Sequence, residues 1–364
     1  MKILMHLISG QNSQVYFAHK LYKPDVNVLF YTPASERNLP PLRDALKGRL
    51  PVEEIRIHAF EYAKIRKMIT DTIEKHEPRR NEIILNFTGG TKIQSVALFE
   101  AGREMGLKTA YVNSEQHNIL ELGGGFPVKH STLNLPINPA EYLTVNGQKV
   151  KDEVEAKSPQ SEKIVEVLSS NFNHFSKFLL GFAATEPLKH GSPSSREIAV
   201  GKLTGTKYKF TQGGFYLKLV LEGKVLFEAE EKPGRLLVED VTGKWLEKAV
   251  YKSICNSGLF GEVNMNLKIA YKSKEYKNEF DILAMKGTDL CLFECKSGRV
   301  KAADIDQLVA LRKMLGTYTR LFVVTWFNPT PVMLERLAEN NITALSFPNI
   351  EMELKEISIY NPNI

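Results

Sequence analysis

Cysteine is scarce: the 364-residue chain has three, Cys255, Cys291 and Cys295. Their odd number and the lack of any C-x-x-C spacing argue against a disulfide framework or a thiolate zinc site and suit a reducing cytoplasm. No apolar run approaches membrane-spanning length. Met1–Ile8 is apolar but lacks the charged flank and cleavage site of a signal peptide, so it reads as a first buried strand. The expectation is a soluble cytoplasmic protein with no membrane partner. Neither G-x-x-x-x-G-K-[ST] nor G-x-G-x-x-G occurs, which argues against ATP hydrolysis and dinucleotide chemistry. Internal repeats and low-complexity tracts are missing too. Charge of one sign does not dominate. The 48 Lys and Arg against 42 Asp and Glu leave a net +6, compatible with a polyanionic partner without requiring one.

What is present centres on Asn278–Lys296, N-E-F-D-I-L-A-M-K-G-T-D-L-C-L-F-E-C-K. It reads as two strands, Phe280–Met285 and Leu290–Lys296, around a Gly-containing turn. Glu294 and Lys296 share a face with Leu290 and Leu292, while Cys291, Phe293 and Cys295 take the other. Both faces are largely apolar, so the second strand is expected in a sheet interior. A carboxylate and an ammonium there are costly unless paired or held by a metal. Counting four connecting residues, Lys286 to Asp289, sets Asp281 across from Glu294 on one face. A slip of one residue would move it to the other side. Two converging carboxylates suit a hard cation such as Mg²⁺ or Mn²⁺. An exposed, solvated charge pair is the plainer reading of an E-x-K taken alone.

The D…E-x-K spacing of Asp281, Glu294 and Lys296 resembles the PD-(D/E)XK nuclease superfamily. Around it the order is a helix from Gly243 with Trp245, Leu246, Ala249, Val250 and Ile254 on one arc, three strands, a helix over Ala302–Leu315, and the strand Leu321–Trp326. This order matches that superfamily's core. The residue before Asp281 is Phe280 where the motif has proline. The resemblance implies catalytic roles for Asp281, Glu294 and Lys296, a metal held by Asp281, Glu294 and the Cys295 carbonyl, and accessory roles for Glu247 and Gln307.

The first 145 residues alternate strands (Lys2–Ile8, Val26–Tyr31, Glu54–Ile57, Glu82–Phe87, Thr109–Val112) with helical patterns, which implies a Rossmann-like parallel sheet. Ligands bind beyond the carboxyl ends of such strands. Two loops lie there, Ser9-Gly10-Gln11-Asn12 and Thr88-Gly89-Gly90-Thr91-Lys92, the second opening a helix whose free N–H groups attract phosphate. A tight turn with an N-cap threonine explains the second loop equally well. Gly123–Gly125 reads as a turn between strands. The pair of loops resembles the CARF domain, the sensor of cyclic oligoadenylate in type III CRISPR systems, and implies that Ser9 to Asn12 and Thr88 to Lys92 contact such a ring.

Residues 146–238 read as a linker and a small α+β module, with a helix over Ser161–Phe182, a loop at Lys189–Ser195 and a hairpin around Glu222-Gly223, winged-helix-like in outline. Lys202, Lys207 and Lys209 beside Tyr208 and Phe210 offer nucleic acid a basic face, though a solvated face is the simpler reading. The expected fold is thus α/β: a CARF domain (1–145), this connector (146–238) and a restriction-endonuclease-like domain (239–364). The two resemblances together imply a CRISPR ancillary nuclease: a homodimer, activated by cyclic tetra-adenylate, that cuts DNA, RNA or both with Mg²⁺ or Mn²⁺. The alternative is a ligand-responsive nucleic-acid-binding regulator with a degenerate nuclease fold.

Overall fold

The computed structural model describes residues 1–46, 51–123, 128–133, 135–151, 159–184, 195–200, 202–211, 214–232, 234–270, 276–316 and 318–360. The N-terminal third alternates β1 (Lys2–Leu7), α1 (Ser13–Tyr22), β2 (Val26–Tyr31), α2 (Leu39–Leu46), β3 (Val52–Arg56), α3 (Tyr62–Lys75), β4 (Glu82–Asn86), α4 (Lys92–Glu104) and β5 (Lys108–Asn113). The strands β6 (Asn118–Leu122) and β7 (Lys129–Thr132) and the helix α5 (Pro139–Val145) follow. The sheet runs β3-β2-β1-β4-β5-β6-β7. It is parallel from β3 to β5 and antiparallel beyond. Its central strands are apolar on both faces because helices cover both. Leu4 packs with Val15, Phe17 and Leu42 of α1 and α2, while Ile3 and Met5 pack with Ile65, Ile69 and Leu98 of α3 and α4. The strands expected from the sequence are all present, shifted by a residue or two. Gly124, Gly125 and the loop expected at Lys189–Ser195, apart from its last residue, lie outside the described residues.

The connector differs from the expectation in two ways. First, Lys149–Lys151, read as linker, is a strand, β8, at the edge of the C-terminal sheet. It runs antiparallel to a later strand through Ile269↔Val150. Second, the module is more than helices and one hairpin. The expected single helix is broken at Asn171 into α6 (Ser161–Ser170) and α7 (Phe172–Ala184). Beside these helices a four-stranded antiparallel sheet is formed by β9 (Ser195–Val200), β10 (Leu203–Thr211), β11 (Gly214–Leu221) and β12 (Lys224–Glu231). The turn Glu222-Gly223 has positive φ at both residues, 51° and 77°, the geometry of a two-residue hairpin loop. Tyr208 is buried, and Lys202, Lys207 and Lys209 are exposed. Glu222 pairs with Lys202 and Glu228 with Lys218, so acidic partners are interleaved with this basic surface.

The C-terminal part begins with α8 (Arg235–Glu239), which runs through a π-helical turn at Asp240–Lys244 into α9 (Trp245–Ser257). Then come β13 (Val263–Ala270), β14 (Tyr276–Lys286), β15 (Asp289–Lys296), α10 (Ala302–Leu315), β16 (Arg320–Thr325), α11 (Pro331–Glu339), β17 (Ile342–Ser346) and α12 (Ile350–Tyr360). The sheet order is β17-β16-β15-β14-β13-β8, which places β15 in the interior. One face of β15 joins the cluster of Leu283, Leu290 and Leu292 with Ile305, Leu308 and Leu311 of α10. The other joins Cys291, Phe293 and Phe322 with Trp245, Leu246 and Val250 of α9.

The two large sheets also meet. Phe17, Leu42 and Leu143 belong to the same apolar cluster as Leu267, Phe280 and Leu292. At its margin the tip of the β14–β15 hairpin presses on the β5–β6 turn. His117 Nδ1 lies 2.8 Å from Thr288 Oγ1, and that hydroxyl lies 3.2 Å from the Ser114 carbonyl. Gly287, at φ 58°, has no side chain to spare, since a Cβ there would stand 3.2 Å from the His117 ring. Asp289, next along, accepts from Arg320 at 2.5 Å.

Candidate active site and sensor loops

In the β14–β15 hairpin Lys286 pairs with Asp289 and Ile282 with Phe293. The turn is therefore two residues, shorter than the four counted from the sequence, yet the register is the same. Carried one step on, it sets Asp281 across from Glu294. Asp281 Oδ2 accepts the Cys295 N–H at 2.7 Å, and Glu294 Oε1 accepts from Lys296 Nζ at 2.8 Å. Each carboxylate keeps a second oxygen with no hydrogen-bond partner among the described residues. Burial pushes the Asp281 carboxyl up to about 8, and the charges of Glu294 and Glu247 add to that, against the Cys295 N–H and Lys296. Burial works against the Lys296 ammonium, but its bond to Glu294 and the nearby Asp304 outweigh it and raise its pKa.

Glu247, half-buried on the first turn of α9, is thus close enough to act on Asp281. Gln307 is exposed on α10 and makes no hydrogen bond into this cluster among the described residues. The α10 residue that does reach the cluster is Asp304, whose Oδ1 lies 3.3 Å from Lys296 Nζ. Nothing local in the sequence ties it to Lys296.

Among the described residues no three His, Cys, Asp or Glu side chains form a ready cage for a metal ion. Asp281 and Glu294 with one backbone carbonyl are a smaller donor set. It fits Mg²⁺ or Mn²⁺, which retain several waters and need only one or two carboxylates. Burial first, and then the charges of Glu294 and Glu247, raise the Asp281 carboxyl, and a cation there would offset both.

In the N-terminal sheet β1 and β4 are neighbours, and the strand order reverses between them. Loops after these two strands flank the crevice where α/β sheets take ligands. Gly89 packs so close to β1 that a Cβ would lie 2.2 Å from the Leu7 carbonyl oxygen. Thr91 caps α4, its hydroxyl accepting from the Gln94 N–H at 3.2 Å while Gln94 Oε1 takes the Thr91 N–H at 2.8 Å. Thr88 Oγ1 donates to Asn86 at 2.6 Å and accepts from the Val112 N–H at 2.7 Å. Asn12 is buried and donates to the carbonyls of Asn38 and Val145, and Asn38 holds the Ser9 carbonyl at 2.6 Å. The side chains of Asn12, Thr88 and Thr91 therefore shape the loops. Gly10 and Lys92 are exposed and Ser9, Gln11 and Gly90 half-buried. Beneath the loops lies a polar network the sequence reading missed, His6 bonded to Asn86 and Asn27, and Asn27 to His19. Burial pushes the His6 imidazole down to about 3.

A Rossmann-like sheet with a ligand crevice, joined to a sheet carrying a carboxylate–lysine site, defines a sensor–nuclease fusion. Family comparison agrees: residues 5–142 match the Card1 CARF domain and residues 235–359 the Card1-like endonuclease domain. The chain belongs to the CARF-containing ancillary nucleases of type III CRISPR systems. No curated protein matches it. Among solved structures it is similar to Can2 from Sulfobacillus thermosulfidooxidans in complex with cyclic tetra-adenylate, at 20% identity and TM-score 0.74 over 98% of this chain and 99% of that one. It is also similar to a Vibrio cholerae protein, at 15% identity and TM-score 0.77 over 100% and 98%. A type III CRISPR defence DNA nuclease activated by cyclic oligoadenylate matches at 16% identity and TM-score 0.60 over 99% of this chain and 52% of that one. At these identities the likeness is one of fold. No described helix is long and apolar enough to cross a membrane.

Proposed function

We propose that the protein is a metal-dependent endonuclease, switched on by a cyclic oligoadenylate, that cuts DNA, RNA or both in type III CRISPR defence. The observation that carries this reading is Asp281 set across from Glu294, with Lys296 bonded to Glu294, on an interior strand whose preceding residues Leu290 to Phe293 are apolar and fully buried. A degenerate nuclease fold would have no reason to keep all three charges there.

Asp281, Glu294 and the Cys295 carbonyl would hold Mg²⁺ or Mn²⁺. Such an ion, when bound, neutralises the scissile phosphate and lowers the pKa of its water. Lys296 supplies a fixed positive charge beside these carboxylates, where negative charge builds on the phosphate oxygens. Glu247 adds a third carboxylate at the rim. Gln307, exposed on α10, would meet substrate rather than metal.

On the sensor side, Lys92 and the N–H groups opening α4 favour a phosphate. Cyclic tetra-adenylate is the expected ring, as in the complex formed by the similar Can2 protein. Its two-fold symmetry suits a homodimer that places the ring on the axis. Exposed Phe60, Tyr62, Ile93 and Val96 border the Thr91–Lys92 loop and offer apolar surface for a second copy to cover.

The test is a cleavage assay on plasmid, single-stranded DNA and RNA, with and without cyclic oligoadenylates, in Mg²⁺, Mn²⁺ or chelator. Cutting is expected only with both ring and metal, and not from Glu294→Ala. Full cutting by that variant removes the nuclease site from the argument, and equal cutting without any ring removes the switch.

A further inference from the structure

We infer that Asp304 is a positioning residue that anchors the Lys296 ammonium at the cleavage site. This rests on the nuclease reading above and adds a residue that the D…E-x-K pattern does not contain. Lys296 Nζ has two carboxylate partners, Glu294 Oε1 at 2.8 Å and Asp304 Oδ1 at 3.3 Å. Glu294 is also a proposed metal ligand, so its charge is shared once a cation binds, and its hold on the lysine weakens. Asp304 is not shared. It is the partner that keeps Lys296 in place in the loaded site.

The carboxylate is well placed for this. Asp304 sits in the first turn of α10, and its Oδ2 accepts the Lys301 N–H at 2.8 Å. The buried face of α10, Ile305, Leu308 and Leu311, packs into the same apolar cluster as Leu283 and Leu292 of the catalytic hairpin. One oxygen therefore ties Asp304 to the helix start, and the helix is tied to the sheet. The other oxygen faces the lysine. Closing the helix start requires only the first bond, so the second points to a role beyond capping. A lysine side chain carries four flexible methylenes, and a second anchor from a separate element narrows where its ammonium stands.

The experiment compares Asp304→Asn and Asp304→Glu in two backgrounds, the natural chain and Lys296→Ala. Single-turnover cleavage with saturating ring is measured in each, together with KM, Mn²⁺ affinity by calorimetry and thermal unfolding. Asparagine keeps an oxygen for the Lys301 N–H and loses only the charge. In the natural background Asp304→Asn is expected to lower the cleavage rate about ten- to a hundred-fold, the loss of one charge-assisted bond, with KM and Mn²⁺ affinity nearly unchanged. Asp304→Glu recovers part of that rate. In the Lys296→Ala background Asp304→Asn costs nothing further, because the group it positions is gone. An unchanged rate for Asp304→Asn, or an equal loss in both backgrounds, overturns the inference. Full cutting by Lys296→Ala overturns the nuclease reading instead.

Discussion

Replacing Asp281 with asparagine should stabilise the metal-free protein while abolishing cleavage. In the native state burial and the charges of Glu294 and Glu247 raise its carboxyl from 3.8 to about 8. The folded chain holds a proton that the unfolded chain has already released, so stability present below pH 3.8 is given up as pH climbs from there to 8. At about 1.4 kcal/mol per pH unit, the loss accumulated by pH 7 is at most about 4 kcal/mol, and water reaching the half-buried group reduces it. Asparagine never ionises, has nearly the same shape, and keeps an oxygen for the Cys295 N–H. Denaturant unfolding at pH 7 in chelator should therefore show Asp281→Asn more stable by about 2–4 kcal/mol, with the gap narrowing towards pH 5. Adding Mn²⁺ should reverse the order, because the cation stabilises the chain it binds by RT ln(1 + [L]/Kd) and has lost a ligand in the variant. The reasoning is refuted if Asp281→Asn is the less stable protein in chelator at pH 7, or if both chains gain equally from Mn²⁺.

Lys92→Ala should weaken ring binding about ten- to a hundred-fold, the value of one charge-assisted phosphate contact of about 1.5–3 kcal/mol. Raising the ring concentration should restore cutting to this variant but not to Glu294→Ala, and calorimetry showing unchanged affinity for every ring refutes the contact. Gly89→Ala forces a Cβ against the Leu7 carbonyl at 2.2 Å. It should lower stability by about 1–3 kcal/mol and abolish ring binding, which a melting curve and a titration will read. His6 gives the N-terminal domain an acid limit. Its folded pKa of about 3 lies below the ordinary 6.5, so stability present above pH 6.5 is lost as pH falls, about 2 kcal/mol between pH 7 and pH 5. His6→Gln should flatten that slope in unfolding measured across the range.

The β14–β15 hairpin was legible because its periodicity and its register agree. Residues two apart share a face, and Asp281 meets Glu294 whether Met285 or Lys286 is taken as the last paired residue, since both choices preserve the register. The parallel sheet was legible for a similar reason, its apolar strands being punctuated by glycine loops. Other parts depend on partners remote in sequence. Lys149–Lys151 has no apolar alternation and becomes a strand only because β13 offers it an edge. Asp304 meets Lys296 only once α10 is laid against the sheet. His6 sits in a run of apolar residues, and Asn27 and Asn86, its partners, are 21 and 80 residues away. The bonds that set the loops are remote as well: Asn12 donates to the carbonyls of Asn38 and Val145, 26 and 133 residues away, and no local pattern shows them.

Strand β15 joins two environments that a domain diagram would keep apart. At one end Thr288 and Asp289 are gripped by His117 and Arg320, the first from the sensor sheet and the second from the neighbouring strand. Five residues on, about 17 Å along an extended chain, stands Glu294. An interior strand, hydrogen-bonded on both sides, does not stretch or coil, so the contact of the hairpin tip with His117 and the Glu294 carboxylate sit at the two ends of one stiff rod. In the function proposed above, a displacement of the β5–β6 turn would reach Glu294 along a single piece of backbone, with no linker in between.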